Sequence, residues 1–133
     1  MLSNYYHTFT DVYAGFHITV IDSPPFEKFT DYLNELEASK HYLTIWVELN
    51  TTHLPLLDIC TNQLAYSIHH AIDNKVVVYK WLSAREDLVV PYSAFLVAAG
   101  ALVINNDKLL LVQEKSGERK GYYGIPGGRA DGG

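Results

Sequence analysis

Three short apolar runs near the C-terminus close on Pro126-Gly127-Gly128, and that tripeptide restricts the fold more than any other stretch of the 133 residues. Proline brings no amide hydrogen to a ladder, and glycine admits backbone angles closed to other residues. A strand is therefore predicted to stop here and give way to an open loop of bare peptide. Upstream, Phe95 to Ile104 and Lys108 to Gln113 are apolar runs split by Asn105-Asn106-Asp107, the composition of a tight hairpin turn. A charged loop, Glu114 to Lys120, leads to a third short strand at Tyr122 to Ile125.

The rest of the chain reads as a separate α/β unit over residues 1–83, followed by a linker over 84–93 that contains Arg85-Glu86-Asp87 and Pro91. Residues Val12 to Val20 alternate as a strand with one buried face, Val12, Ala14, Phe16, Ile18 and Val20 on one side and Tyr13, Gly15, His17 and Thr19 on the other. Ser23 is placed to cap a helix whose first turn holds Pro24. Phe26, Phe29, Leu33 and Leu36 recur at helical spacing to about Ser39, with Glu27, Asp31, Glu35 and Glu37 as the solvated side. Tyr42 to Leu49 is the next strand. A second helix is predicted from about Leu54 to His70, with Leu57, Cys60 or Thr61, Leu64 and Ile68 as its apolar face, and Lys75 to Leu82 is the third strand after a turn at Asp73-Asn74. The resulting β-α-β-α-β order favours a sheet with crossover helices.

Composition narrows the classes of function. The formal charge of −5 argues against a broad nucleic-acid surface. The single cysteine, Cys60, excludes an internal disulfide and a thiolate metal site. No run has the apolar length of a membrane span, and the N-terminus lacks the basic head and apolar core of a signal peptide, so a soluble, cytoplasmic protein is expected. Gly15 is the one glycine before Ser93, which leaves no glycine-rich loop to cradle the pyrophosphate of coenzyme A. Adjacent residues on a helix point about 100 degrees apart. On that reading His69 and His70 do not converge on one metal and serve a helix end, while His17 and His53 are isolated.

The hairpin, variable loop, aromatic residue and Pro-Gly-Gly together resemble the start of a Nudix hydrolase domain, with Tyr123 where that family usually has tryptophan. Gly128 fits the first glycine of the family signature, G-x5-E-x7-R-E-U-x-E-E-x-G-U, and Arg129 to Gly133 fill its five free positions. The N-terminal unit, with Ser67-Ile-His-His-Ala71, a strand and a tryptophan ahead of the linker, is similar to the pre-Nudix domain of one Nudix subgroup, which has an acetyltransferase-like fold without that chemistry.

The resemblance implies that residues 94–133 are the first strands of a Nudix α/β/α sandwich, incomplete here. It also implies a parent enzyme that cleaves the pyrophosphate of a nucleoside diphosphate derivative such as ADP-ribose or NADH, using Mg2+ or Mn2+ held by glutamates on a helix beyond residue 133. Gly128 would lend a backbone carbonyl to that metal, and Gly127 with Gly128 would open the signature. Arg129 would face a phosphate or solvent, and Tyr122 and Tyr123 would stack on a base or pack, with packing favoured for Tyr123. For the chain itself the expectation is no tight metal binding and no activity. The alternative is a non-catalytic interaction module or homodimer, with no nucleic acid and no membrane. The roughly 40 C-terminal residues are too few to close a core alone and are expected to be mobile, docked or associated.

Overall fold

In the computed structural model, which describes residues 4–93 and 97–129, strand β1 (Tyr6–Thr10) turns back into β2 (Gly15–Val20) as an antiparallel pair. The residues that read as the start of one long strand are that turn. Asp11 organises it: its Oδ1 accepts from the amides of Tyr13 and Gly15, both at 2.8 Å, and its own amide donates to the Gly15 carbonyl at 2.9 Å. A Cβ on Gly15 would sit 2.5 Å from Asp11 Oδ2, so the residue there has to be small.

Helix α1 (Phe26–Ser39) then carries the chain to β3 (Thr44–Asn50), which pairs with β2 in parallel. Ser23 does not cap this helix. Pro25 holds the cap position with no side-chain bond, and Asp22 Oδ1 accepts from the Ser23 amide instead. Phe29 and Leu33 of α1 are fully buried on Ile18, Val20, Ile45, Val47 and Leu49, whereas Phe26 remains 57% exposed.

Glu37 is not part of the solvated side. Lys80 Nζ reaches its Oε2 at 2.6 Å and lies 5.5 Å from the centre of the Tyr66 ring. Burial first, and the Glu37 carboxylate next, push the Tyr66 phenol far above its usual pKa.

The predicted second helix is cut short. Asn50 Oδ1 accepts from the Thr52 amide and starts a 3-10 turn, Thr51–His53; a single α turn, α2 (Pro55–Asp58), follows, and a π turn ends it at Gln63. Ala65 takes a left-handed φ of 58°, Tyr66 N closes on Cys60 O at 2.8 Å, and Tyr66 is buried where the helical pattern has no apolar position. Residues Ser67–Ile72 are strand β4, a hairpin partner of β5 (Lys75–Trp81). The strand order is β1-β2-β3-β5-β4, and β5 runs antiparallel to β3, so one crossover helix is present rather than two.

Two compact units emerge, Met1–Tyr92 and Ser93–Gly133. In the second, β7 (Ile104–Asn105) and β8 (Lys108–Leu109) form the predicted hairpin, with Asn106 and Asp107 both at positive φ in its turn. Strand β6 (Ala98–Gly100) precedes that hairpin. Strands β9 (Val112–Gln113) and β10 (Tyr123–Gly124) pair with each other, and β11 (Gly127–Arg129) pairs with β6. No described residue of this unit is buried; Leu102, Ile104 and Leu110 are among many exposed aliphatic residues. Phe95 of the first apolar run, and Ala130 to Gly133 of the five free signature positions, lie outside the described residues.

Asp11 offers a check on the β1–β2 turn. Burial alone would raise its pKa, but the bonds from His17 and from the Gly15 and Tyr13 amides outweigh it and hold the carboxyl below its ordinary 3.8. A depressed carboxylate stabilises the fold above the ordinary value and loses that contribution as pH falls through its folded value. Urea unfolding should place Asp11→Ala about 1–2 kcal/mol below wild type at neutral pH, and the loss should shrink as the buffer is taken below pH 3.8. A difference that is constant with pH would contradict this account.

Candidate functional site

The predicted site residues lie along β10 and β11. Tyr123 pairs with Gln113 and Gly124 with Val112, so Tyr122 and Tyr123 sit where the strand begins, 70% and 67% exposed. Tyr123 is therefore not packed. The loop before them is closed by its own backbone: Gly121 N reaches Glu114 O at 2.8 Å, Glu114 N reaches Tyr122 O at 3.0 Å, and Gln113 Nε2 donates to Gly121 O at 3.0 Å.

Pro126-Gly127-Gly128 does not open into a loop. Gly127, Gly128 and Arg129 pair with Gly100, Ala99 and Ala98, and Ala101 N donates to Pro126 O at 2.8 Å. The reason is close approach. A Cβ on Gly127 would lie 2.6 Å from the Ala99 carbonyl oxygen and 3.0 Å from Gly100 Cα, whereas a Cβ on Gly128 would meet nothing within 4 Å. Arg129 ends the strand exposed, opposite Ala98. Among the described residues, no three His, Cys, Asp or Glu side chains gather to hold a metal.

A second concentration of chemistry lies in the first unit, on the sheet face away from α1. Phe9, His17, Trp46 and Tyr79 are register partners across β1, β2, β3 and β5. Their rings touch in sequence: Phe9 and His17 at 4.4 Å and 3°, His17 and Trp46 at 5.7 Å and 1°, Trp46 and Tyr79 at 5.2 Å and 30°. His69 continues the row edge-on to both Trp46 and Tyr79, and His70 stacks on Tyr92 at 4.4 Å. Because the rings stack on one another, the row uses its faces internally and offers few to a planar ligand.

His69 and His70 therefore lie on a strand, not at a helix end. Residues 85–92 bond back to this face through Tyr79 Oη to Asp87 at 3.0 Å, Trp81 Nε1 to the Arg85 carbonyl at 2.9 Å, and His69 Nε2 to the Val90 carbonyl at 2.8 Å. Burial first, then the neighbouring His69, lower the His70 pKa, and Glu48 opposes them. Sequence reasoning missed this row because its members are isolated in the chain. Alternation within Val12 to Val20 and Tyr42 to Leu49 did place His17 and Trp46 on faces away from the aliphatic residues.

The two glycines should respond differently to a methyl group. In Gly127→Ala, exchange of the Ala101 amide should speed up at least about tenfold, equivalent to about 1.4 kcal/mol of local stability. In Gly128→Ala it should be unchanged. Equal effects measured by amide exchange would refute the close-approach argument.

No family model matches the chain. Over 128 residues it is 29% identical to Nudix hydrolase 7 of Arabidopsis thaliana, an alignment that covers 90% of this chain and 44% of that protein. The chain thus spans less than half the length of the curated relative it matches. Among the described residues, no helix is long and apolar enough to cross a membrane. The likeness takes in most of both units, and what it supports is a relationship to the Nudix hydrolases.

Proposed function

We propose that this chain is the N-terminal portion of a Nudix pyrophosphohydrolase: a pre-Nudix unit followed by the first strands of the catalytic domain. The observation that carries this reading is the 29% identity to a Nudix hydrolase over 90% of the chain, an extent that takes in the Pro-Gly-Gly segment or the greater part of its unit. The substrate class is a nucleoside diphosphate linked to a second moiety, with ADP-ribose and NADH as representatives. Arg129 would meet a phosphate and Tyr122 or Tyr123 a base; the exposure of all three supports those roles.

Mg2+ or Mn2+ in such an enzyme neutralises the pyrophosphate and helps activate water. The donors among the described residues do not fit that ion. Gly128 offers one neutral carbonyl oxygen, and hard divalent cations of this kind take about six oxygens, with at least one or two carboxylates among the protein's own. These residues do not by themselves carry a metal-dependent step, and the chain alone is expected to be inactive. Incubation with ADP-ribose or NADH and either metal should yield no AMP by chromatography. EDTA-sensitive turnover would reject the inactivity, while binding of ADP-ribose that weakens in Arg129→Ala would support the phosphate contact.

A second reading, an interaction or dimerisation module, is favoured by one observation: the second unit leaves Val97, Leu102, Ile104, Leu110 and Ile125 between 47% and 67% exposed. Exposed aliphatic surface of this kind commonly marks an interface. Sedimentation velocity should then show concentration-dependent self-association that Leu102→Lys with Ile104→Lys abolishes. A monomer at every concentration would remove the dimer.

A further inference from the structure

The paired histidines of β4 are used by nothing in the proposed hydrolase. Neighbouring residues of a regular strand face opposite ways, yet the register of β4 against β5 shifts between Ile68 and His70, with His69 as the additional residue. The bulge brings both rings to one side, with centroids 4.9 Å apart and Nδ1 2.6 Å from Nδ1. The objection that two adjacent histidines cannot converge holds for a helix and not for this strand.

Their partners fix the protons. His69 Nε2 lies 2.8 Å from the Val90 carbonyl oxygen, which can only accept. A neutral His69 therefore carries its proton on Nε2 and presents a lone pair at Nδ1. His70 must then supply the proton between the two Nδ1 atoms. Moving that one proton to His70 Nε2, the other neutral tautomer, leaves two lone pairs facing a common space.

We propose that His69 and His70 form a chelating site for an imidazole-preferring divalent transition ion, Cu2+ foremost, bound through both Nδ1 atoms with water completing its coordination. Because a neutral imidazole has one ring proton, the ion at His70 Nδ1 requires that proton to pass through solvent to His70 Nε2, and the pair releases no net proton. Imidazole ligands at about 2.0 Å stand roughly 3 Å apart around one ion, so the pair opens from 2.6 Å by a few tenths of an ångström. The bond from His69 Nε2 to a backbone carbonyl is the outer-shell contact that orients metal-binding imidazoles. A groove of about 510 Å3, lined in part by His69, His70, Tyr79 and Tyr92, gives the ion and its waters access. Glu48 shares a cross-strand row with Val77 and His70 and adds negative charge, partly offset by Lys75 at 2.8 Å from its Oε1. Two nitrogen donors suit copper ahead of nickel and zinc, and do not suit magnesium.

Cu2+ titrated into the full chain at neutral pH, read by electron paramagnetic resonance, should show one equivalent coupled to two imidazole nitrogens. His69→Ala and His70→Ala should each weaken that equivalent at least about tenfold, and His41→Ala should leave it intact. Equal uptake by wild type and both pair variants would overturn the proposal. Since His69 also holds Val90, circular dichroism must accompany each variant. Where one unfolds, modification of wild type by diethyl pyrocarbonate decides: Cu2+ protection of both His69 and His70 supports the site, and no protection rejects it.

Discussion

The parallel pairing of β2 with β3 is the constraint from which the first unit follows. Parallel neighbours need a long connection, and α1 supplies it while burying Phe29 and Leu33 on Ile18, Val20, Ile45 and Val47. Each such side chain contributes about 1.5–3 kcal/mol on leaving water. With the helix fixed on one face, further strands can join only at the edges: β1 beside β2 through the Asp11 turn, and β5 with β4 beyond β3. Ile18, Val47 and Val78 form one cross-strand row on the helix side, all essentially without solvent contact.

A sheet roofed on one face leaves the other to water, and here the exposed face is covered by its own rings. His17 and Trp46 precede Ile18 and Val47 by one residue, and Tyr79 follows Val78 by one on the antiparallel β5, so the same registers that align the aliphatic row align the aromatic one. Asp11 joins the two tasks. One carboxylate oxygen closes the β1–β2 turn and the other holds His17 Nε2 at 2.8 Å within the ring row. The β4 bulge and residues 85–92 complete the far end, where His69 meets Trp46 and Val90.

Helix α1, β3, β5 and the Asn106-Asp107 hairpin were legible because each has a local signal: helical spacing, strict alternation, or turn residues that tolerate positive φ. The α/β class followed from those elements. Strand β1 was missed because Tyr6 to Thr10 carries polar residues at the sheet edge, with a burial pattern that gives no apolar stripe. The run from Leu64 to Ile72 misled because Leu57, Cys60, Leu64 and Ile68 fit helical spacing while Tyr66, the residue that is buried, falls off it. Ile68 is 57% exposed on an edge strand, which no local pattern distinguishes from a helix face. Glu37 was misread for a different reason: its partner, Lys80, is 43 residues away.

The Pro-Gly-Gly segment shows how packing and function can be separated at single positions. Gly127 has a complete structural explanation, because the Ala99 carbonyl and Gly100 Cα occupy the space a side chain would need. Gly128 has none: the space beside it is open, and it is absent from the glycines held at positive φ. A glycine in a strand costs conformational entropy without contributing contacts, so its presence at 128 calls for a cause outside the ladder. Close access of another molecule to bare backbone is such a cause, and it is consistent with the proposed place of Gly128 as the first glycine of a Nudix signature.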